Sequence, residues 1–312
     1  TAISTTITSD GFQDVEAGAT AISTTVLNGG EQDVRGKASA TIVSNGGLAQ
    51  IELAGILNGV TISNGGVAFV KAGGTATGAV IDGGTLELQG GASLGTGAVT
   101  FGTAGSDGRV TFDGTPLSNT ISGFAAGDTI DLAGVGFSRS STVTSAAGVL
   151  TVSAGGSHFT VHLAPSALSG GTFHLKPDGN EDTATGAGGT VVGYDQIASV
   201  ASGQTSTNIS VGDAHVQVVQ SGATALGTTV VNGGEQDVFG TASGTVLNGT
   251  EVVYGKDSGA RIGFFGLQYI YSGGTATGAI VSGGDADQQA YGTASGTTVL
   301  AGGALFVGAK GS

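Results

Sequence analysis

The chain has 312 residues, of which 62 are Gly and 3 are Pro, with no Cys, Met or Trp and a formal net charge of −14. That balance leaves no cationic footprint for nucleic acid or for anionic lipid. Glycine without a three-residue period or abundant proline is not collagen, and 39% hydrophobic residues is too many for a simply disordered polymer.

From the N-terminus, a turn triplet recurs at Ser9 (SDG), Asn28 (NGG), Asn45 (NGG), Asn64 (NGG) and Asp82 (DGG), in steps of 17 to 19 residues. Between triplets runs the pattern x-Q-x-V, then x-x-G-x-A-x-x-T-x-V. Alternation of period two predicts short strands with one face buried, and no stretch carries a sustained helical stripe. A coil of about 19 residues at about 3.3 Å per residue has a perimeter near 60 Å, which predicts a parallel β-solenoid. A single coil cannot bury its own Val, Ile and Ala and must stack on a neighbour. The corner residues Asn28, Gly29 and Gly30, and their counterparts Asn232, Gly233 and Gly234, are expected to turn the chain through positive φ.

Residues 1–100 form the first array under this reading. Over 101–200 the triplet disappears, and stretches such as "GVLTVSAGGSHFTVHL" (Gly148 to Leu163) alternate strongly. They predict an irregular β-rich spacer or longer coils. All the Pro and three of the four His lie in this segment. Over 201–312 the array resumes, with markers at Asp213, Asn232, Asn248, Phe264, Ser282 and Ala301 in steps of 16 to 19 residues. "NGGEQDV" at Asn28–Val34 is repeated letter for letter at Asn232–Val238. It is the best-preserved piece of a unit used at least nine times, not a site duplicated once.

The unit "GGEQDVxGxAxxTxVxxGG" resembles the repeat of AIDA-type autotransporter adhesins over Ser9–Phe101 and Asp213–Gly303, about two thirds of the chain. The block "ISGFAAGDTIDL" in the middle resembles spacers of large secreted proteobacterial surface proteins. The resemblance implies a right-handed parallel β-helix, coils of 16–19 residues, exported to or beyond the outer membrane of a Gram-negative bacterium. It further implies adhesion to a host or bacterial receptor, self-association and biofilm formation. Some relatives carry heptose on Ser and Thr, added by a dedicated glycosyltransferase. Ser23, Thr24, Thr228 and Thr297 match the hydroxyl-bearing part of the repeat and are the candidate acceptors. No translocator barrel is present in this sequence, so the export route stays open. With no Met at Thr1 and "GAKGS" at the end, the chain reads as an excised or mature segment.

Other chemistry competes with this reading. Glu31 and Asp33, repeated at Glu235 and Asp237, sit at i and i+2 and form a candidate acidic stripe facing water. Their spacing of about 7 Å is compatible with a glycosidase pair, but an acid pair that recurs with the structural repeat reads as surface. The alternative function is a carbohydrate-binding or polysaccharide-degrading β-helix with its site in the middle segment. His158, His162 and His174 gather there, as do Asp178, Glu181 and Asp182, which offer oxygens to calcium. "PDGNED" lacks the spacing of an EF-hand loop, so no catalytic residue, metal ligand or cofactor is assigned, and the chain is read as a non-enzyme.

Overall fold

The computed structural model describes residues 1–102, 107–114, 119–137, 141–164, 171–177 and 189–308. Among them every regular element is a β-strand. The fold is a parallel β-solenoid, as the repeat predicts, and it divides into two compact units, Thr1–Tyr194 and Asp195–Ser312.

In the first unit a regular coil contributes two or three strands, Lys37–Val43 and Ile56–Ser63 each running through two walls that other coils build from separate short strands. One sheet stacks Phe12–Val15, Glu31–Val34, Leu48–Ile51, Val67–Val70, Thr85–Gln89, Arg109–Asp113 and Thr129–Leu132 in parallel. Register is strict: Gln13 pairs with Gln32 and Val15 with Val34, then Val34 with Ile51 and Ile51 with Val70. The inward column Val15, Val34, Ile51, Val70 is 3% exposed or less, as is Val26, Val43, Ile62, Ile81 on the facing wall. Removing such a side chain from water contributes about 1.5–3 kcal/mol, and only the neighbouring coil can provide that shelter.

Beyond Thr129–Leu132 the pattern changes. Thr142–Ala146, Val149–Ala154 and Ser157–Leu163 form an antiparallel meander, joined to the solenoid where Ser157–Leu163 pairs in parallel with Thr120–Ser122. The beginning of Thr190–Val200 lies antiparallel to Thr129–Leu132. Here the core is aromatic: Phe101, Phe124, Phe173 and Tyr194 contact in series, with ring centroids 5.3, 6.1 and 4.9 Å apart.

In the second unit the three-stranded coil resumes at Gln196–Val200, which pairs in parallel with His215–Val219. Two six-stranded sheets run Thr205–Thr207 to Thr293–Ser295 and Ser210–Val211 to Thr298–Val299. The third wall stacks His215–Val219, Glu235–Val238, Thr250–Val253, Leu267–Ile270, Ala286–Ala290 and Gly303–Val307.

The corners correct one expectation. At Asn28 and Asn232 only the first glycine of the triplet turns through positive φ, Gly29 at 73° and Gly233 at 78°, whereas Gly30, Gly234, Asn28 and Asn232 do not; at the next corner Asn45 at 51° joins Gly46 at 80°. The second glycine is there for space. A Cβ on Gly30 would lie 2.6 Å from the Ile7 carbonyl oxygen, and one on Gly234 2.5 Å from that of Val211. One glycine supplies conformation and the next lets two coils touch backbone to backbone.

Candidate functional site

The polar chemistry of this protein lies mostly inside the coil. In "EQDV" the Gln shares its parity with the Val, so both point inward. Gln32, Gln236, Gln268 and Gln288 are 0% exposed. A buried amide must find partners, and the stack provides them. The Gln32 amide donates to Gln13 Oε1 at 2.7 Å, and Gln236 donates to Gln217 Oε1 at 2.6 Å. The Thr of the "x-x-T" element completes each rung: Thr24 Oγ1 donates to Gln13 Oε1 at 3.2 Å, Thr41 to Gln32, Thr228 to Gln217 at 3.1 Å and Thr297 to Gln288 at 2.8 Å. In the first unit the ladder ends after Gln32, because the next residues in register are Ala49, Ala68 and Leu86.

This geometry revises the candidate acceptors. Thr24 and Thr228 are each 1% exposed, with their hydroxyls committed to the ladder, so neither is reachable by a transferase on the folded chain. Thr297 is half-buried and likewise committed. Ser23 is exposed and occupies the left-handed bend between two strands, at φ 57°. Ser4, in the coil before, is exposed in the same conformation at 54°. The sequence reading missed Ser4 because it lies ahead of the first turn triplet.

Beside this bend the first unit carries an open groove of about 540 Å³. Ser23, Ser39, Ile42, Asn58, Thr61 and Val80 help to line it. They come from successive coils, so hydroxyl and amide groups recur above an apolar floor. No ionisable side chain lines the groove.

The acidic stripe is not the solvated face it was expected to be. Asp33 is 8% and Glu235 3% exposed, and Glu31 and Asp237 are half-buried. Around Glu31 and Asp33 long side chains supply the cover. Gln50 donates to Glu31 Oε1, and Arg35 lies 3.5 Å from Asp33 while pairing with Asp14. Burial, with the Glu31 and Glu52 charges behind it, raises the Asp33 carboxyl above its ordinary range despite Arg35 and Lys71. Glu31 directly, and Asp33 through Arg35 and its Asp14 partner, belong to a cross-coil network.

One coil departs from the rest. At the Gln position stands Glu251, in register between Gln236 and Gln268. In the neighbouring alanine column, between Ala242 and Ala276, stands Asp257. They are 0% and 2% exposed. Gln268 Nε2 donates to Glu251 Oε2 at 2.6 Å and to Asp257 Oδ2 at 3.1 Å, and Thr245 donates to Glu251 Oε1 at 3.2 Å. Burial first, then the Asp257 charge, lifts Glu251 well above the usual carboxylate range. Burial pushes Asp257 up to about 6.

The middle histidines do not converge on a metal. His158 Nδ1 lies 2.7 Å from Ser153 Oγ across a hairpin. His162 is exposed opposite Val149, and His174 is half-buried on Thr172–Pro177. Among the described residues no group of three metal-ligating side chains occurs. Asp178, Glu181 and Asp182 lie outside the described residues.

No protein-family model matches the chain, and none of the curated proteins does. Among solved structures it matches a crystal structure of a TibC-catalysed hyper-glycosylated TibA fragment spanning 55–350. The identity is 22%, over 98% of this chain and 96% of that one, with a TM-score of 0.35.

Proposed function

We propose that this chain is an adhesive segment of a bacterial surface protein, a β-solenoid that contacts cells or other copies of itself through weak groups repeated coil after coil. The observation that carries this reading is the placement of its polar groups. The buried ones form a ladder with a structural task, and accessible ones recur at equivalent positions of successive coils, as in the column Ser39, Asn58 and Thr77 beside the groove. Such a surface gains affinity by multiplying contacts. A catalytic pair would instead be local and singular, whereas the acid pair Glu31 and Asp33 recurs at Glu235 and Asp237, and Glu31 and Asp33 are engaged with Gln50 and Arg35. The likeness of the repeat to AIDA-type adhesins supports export to the cell surface and a glycosyltransferase partner that modifies exposed hydroxyls, with Ser23 the foremost acceptor.

The test is display of the chain on non-aggregating bacteria. Settling and clumping are expected, together with adhesion to cultured cells above that of an empty display scaffold. Displaying cells that neither clump nor adhere would overturn the reading. A glycan array and a lyase assay on acidic polysaccharides separate it from a carbohydrate-active β-helix, for which specific binding or product is expected.

A further inference from the structure

We propose that the corner Phe264–Phe265 is the centre of a two-fold contact between copies of this chain. The proposal rests on the self-association part of the reading above and gives it a location.

At this corner the triplet is Phe-Phe-Gly where other coils have Asn-Gly-Gly or Ser-Gly-Gly. Gly266 keeps the close-approach role, since a Cβ there would lie 2.2 Å from the Leu247 carbonyl oxygen. Phe265 takes the conformational role of the first glycine, with φ 62°. Every other non-glycine residue described at positive φ is Ser, Asp, Asn or Ala. A bulky side chain in the left-handed region is strained, and other corners put a smaller residue there, such as Gly29, Asp10, Ala214 or Gly233. Phe265 is thus held against local preference, and such outliers gather where a protein meets something.

The strain leaves two rings in water. Phe264 is 57% and Phe265 52% exposed, packed edge to face with centroids 4.3 Å apart. Phe264 also covers the Gly284 corner of the next coil. On the same edge, in the column of Gly263 just before Phe264, Val231 is 36% and Leu300 51% exposed. Val231, Asn248, Phe264, Phe265, Ser282 and Leu300 along this ridge are uncharged in a chain whose net charge is −14, and exposed Asp285 stands beside Phe265 in the next coil. Two copies of so acidic a protein repel over most of their surfaces, and least along this line.

Register then selects the partner's orientation. With a two-fold axis at Phe264, each copy uses the same patch. The coil after it, bearing exposed Asp285, faces the copy's Asn248 coil, and Leu300 faces Val231. Asp213, three coils before the axis, falls outside the contact. No acid opposes an acid, and apolar residues meet apolar ones. A ridge used as a foothold for an unrelated protein or a glycan would not need this self-complementarity.

The experiment is sedimentation of the full 312-residue chain over a concentration series, beside the F264N/F265G variant that restores the repeat's own corner. The wild type is expected to show a reversible monomer–dimer equilibrium, and the variant at least a tenfold weaker one with an equal or higher melting temperature. Because the chain has no Cys, F264C treated with diamide, which oxidises the two thiols to one disulfide, is expected to give a covalent dimer. A wild type that stays monomeric, a variant that dimerises as well as the wild type, or an F264C chain that stays monomeric under diamide would each overturn the proposal. Clumping of displaying cells that persists in F264N/F265G would overturn this contact and leave the adhesive reading standing, whereas wild-type cells that never clump count against the adhesive reading itself.

Discussion

Gln32 hands an amide hydrogen bond to Gln13 at 2.7 Å, and the same bond joins Gln236 to Gln217 at 2.6 Å. Each link spans one coil, 19 residues of chain. A buried amide is satisfied only because the next coil places an identical acceptor in register, so the ladder selects register as well as stability.

Replacing Gln236 by Ala should therefore be costly. It removes a partner of Gln217, Thr228 and Thr245 together and opens a void. A loss of about 3 kcal/mol is expected, read by urea denaturation. A Gln236→Ala protein as stable as wild type would show that the ladder contributes nothing.

The two corner glycines should fail differently. Gly29→Asn keeps a residue that tolerates positive φ and should cost well under about 1 kcal/mol, whereas Gly30→Ala forces its Cβ onto the Ile7 carbonyl and should cost about 1–3 kcal/mol. Thermal unfolding of the two single variants reads the difference, and equal losses would contradict the division of labour.

The Glu251–Asp257 pair makes the second unit sensitive to pH. Both carboxyls have folded values above their unfolded ones, Asp257 reaching about 6 from 3.8. The folded state thus holds more protons than the unfolded state across this window. The pair's contribution is fully present below the unfolded values and lost as pH rises through about 6 and beyond. Glu251→Gln extends the glutamine ladder and removes one of the acids. It should stabilise the protein by ~1–3 kcal/mol at pH 8 and by much less at pH 4.5. Asp128, also raised by burial to about 6, lies in the first unit and is common to both proteins. Melting curves at the two pH values decide it, and a stabilisation as large at pH 4.5 as at pH 8 would dismiss the titration.

Co-expression with a heptosyltransferase that modifies this chain should add sugar at Ser23 and not at Thr24 or Thr228. Intact mass should fall by one heptose increment in Ser23→Ala and stay unchanged in Thr24→Ala and Thr228→Ala. A loss in either threonine variant would mean modification before folding.

The solenoid was legible because its signals are local and repeated. Glycine pairs mark the corners, and period-two apolar residues mark the walls. The inward glutamine was legible too: Gln32 and Val34 share a parity, so one cannot face the core while the other faces water. The cover over Glu31 and Asp33 was not legible, because Gln50 reaches Glu31 from the next coil and Arg35 is held beside Asp33 by Asp14 of the coil before. Thr24 was misjudged for the same reason. A hydroxyl in a repeat looks like surface until the amide it serves is placed opposite. The spacer's antiparallel meander was not legible, since its alternation suits either strand direction.

The parallel register of Gln13, Gln32 and their successors has a genetic counterpart. Each glutamine-bearing coil presents to the next nearly the same donors, acceptors and apolar column that it received from the one before. A gene with two verbatim copies of "NGGEQDV" invites unequal crossing-over, and recombination between in-phase repeats adds or drops whole coils without breaking the ladder at the junction. The length of such a protein can drift in quanta of one coil while its cross-section stays constant.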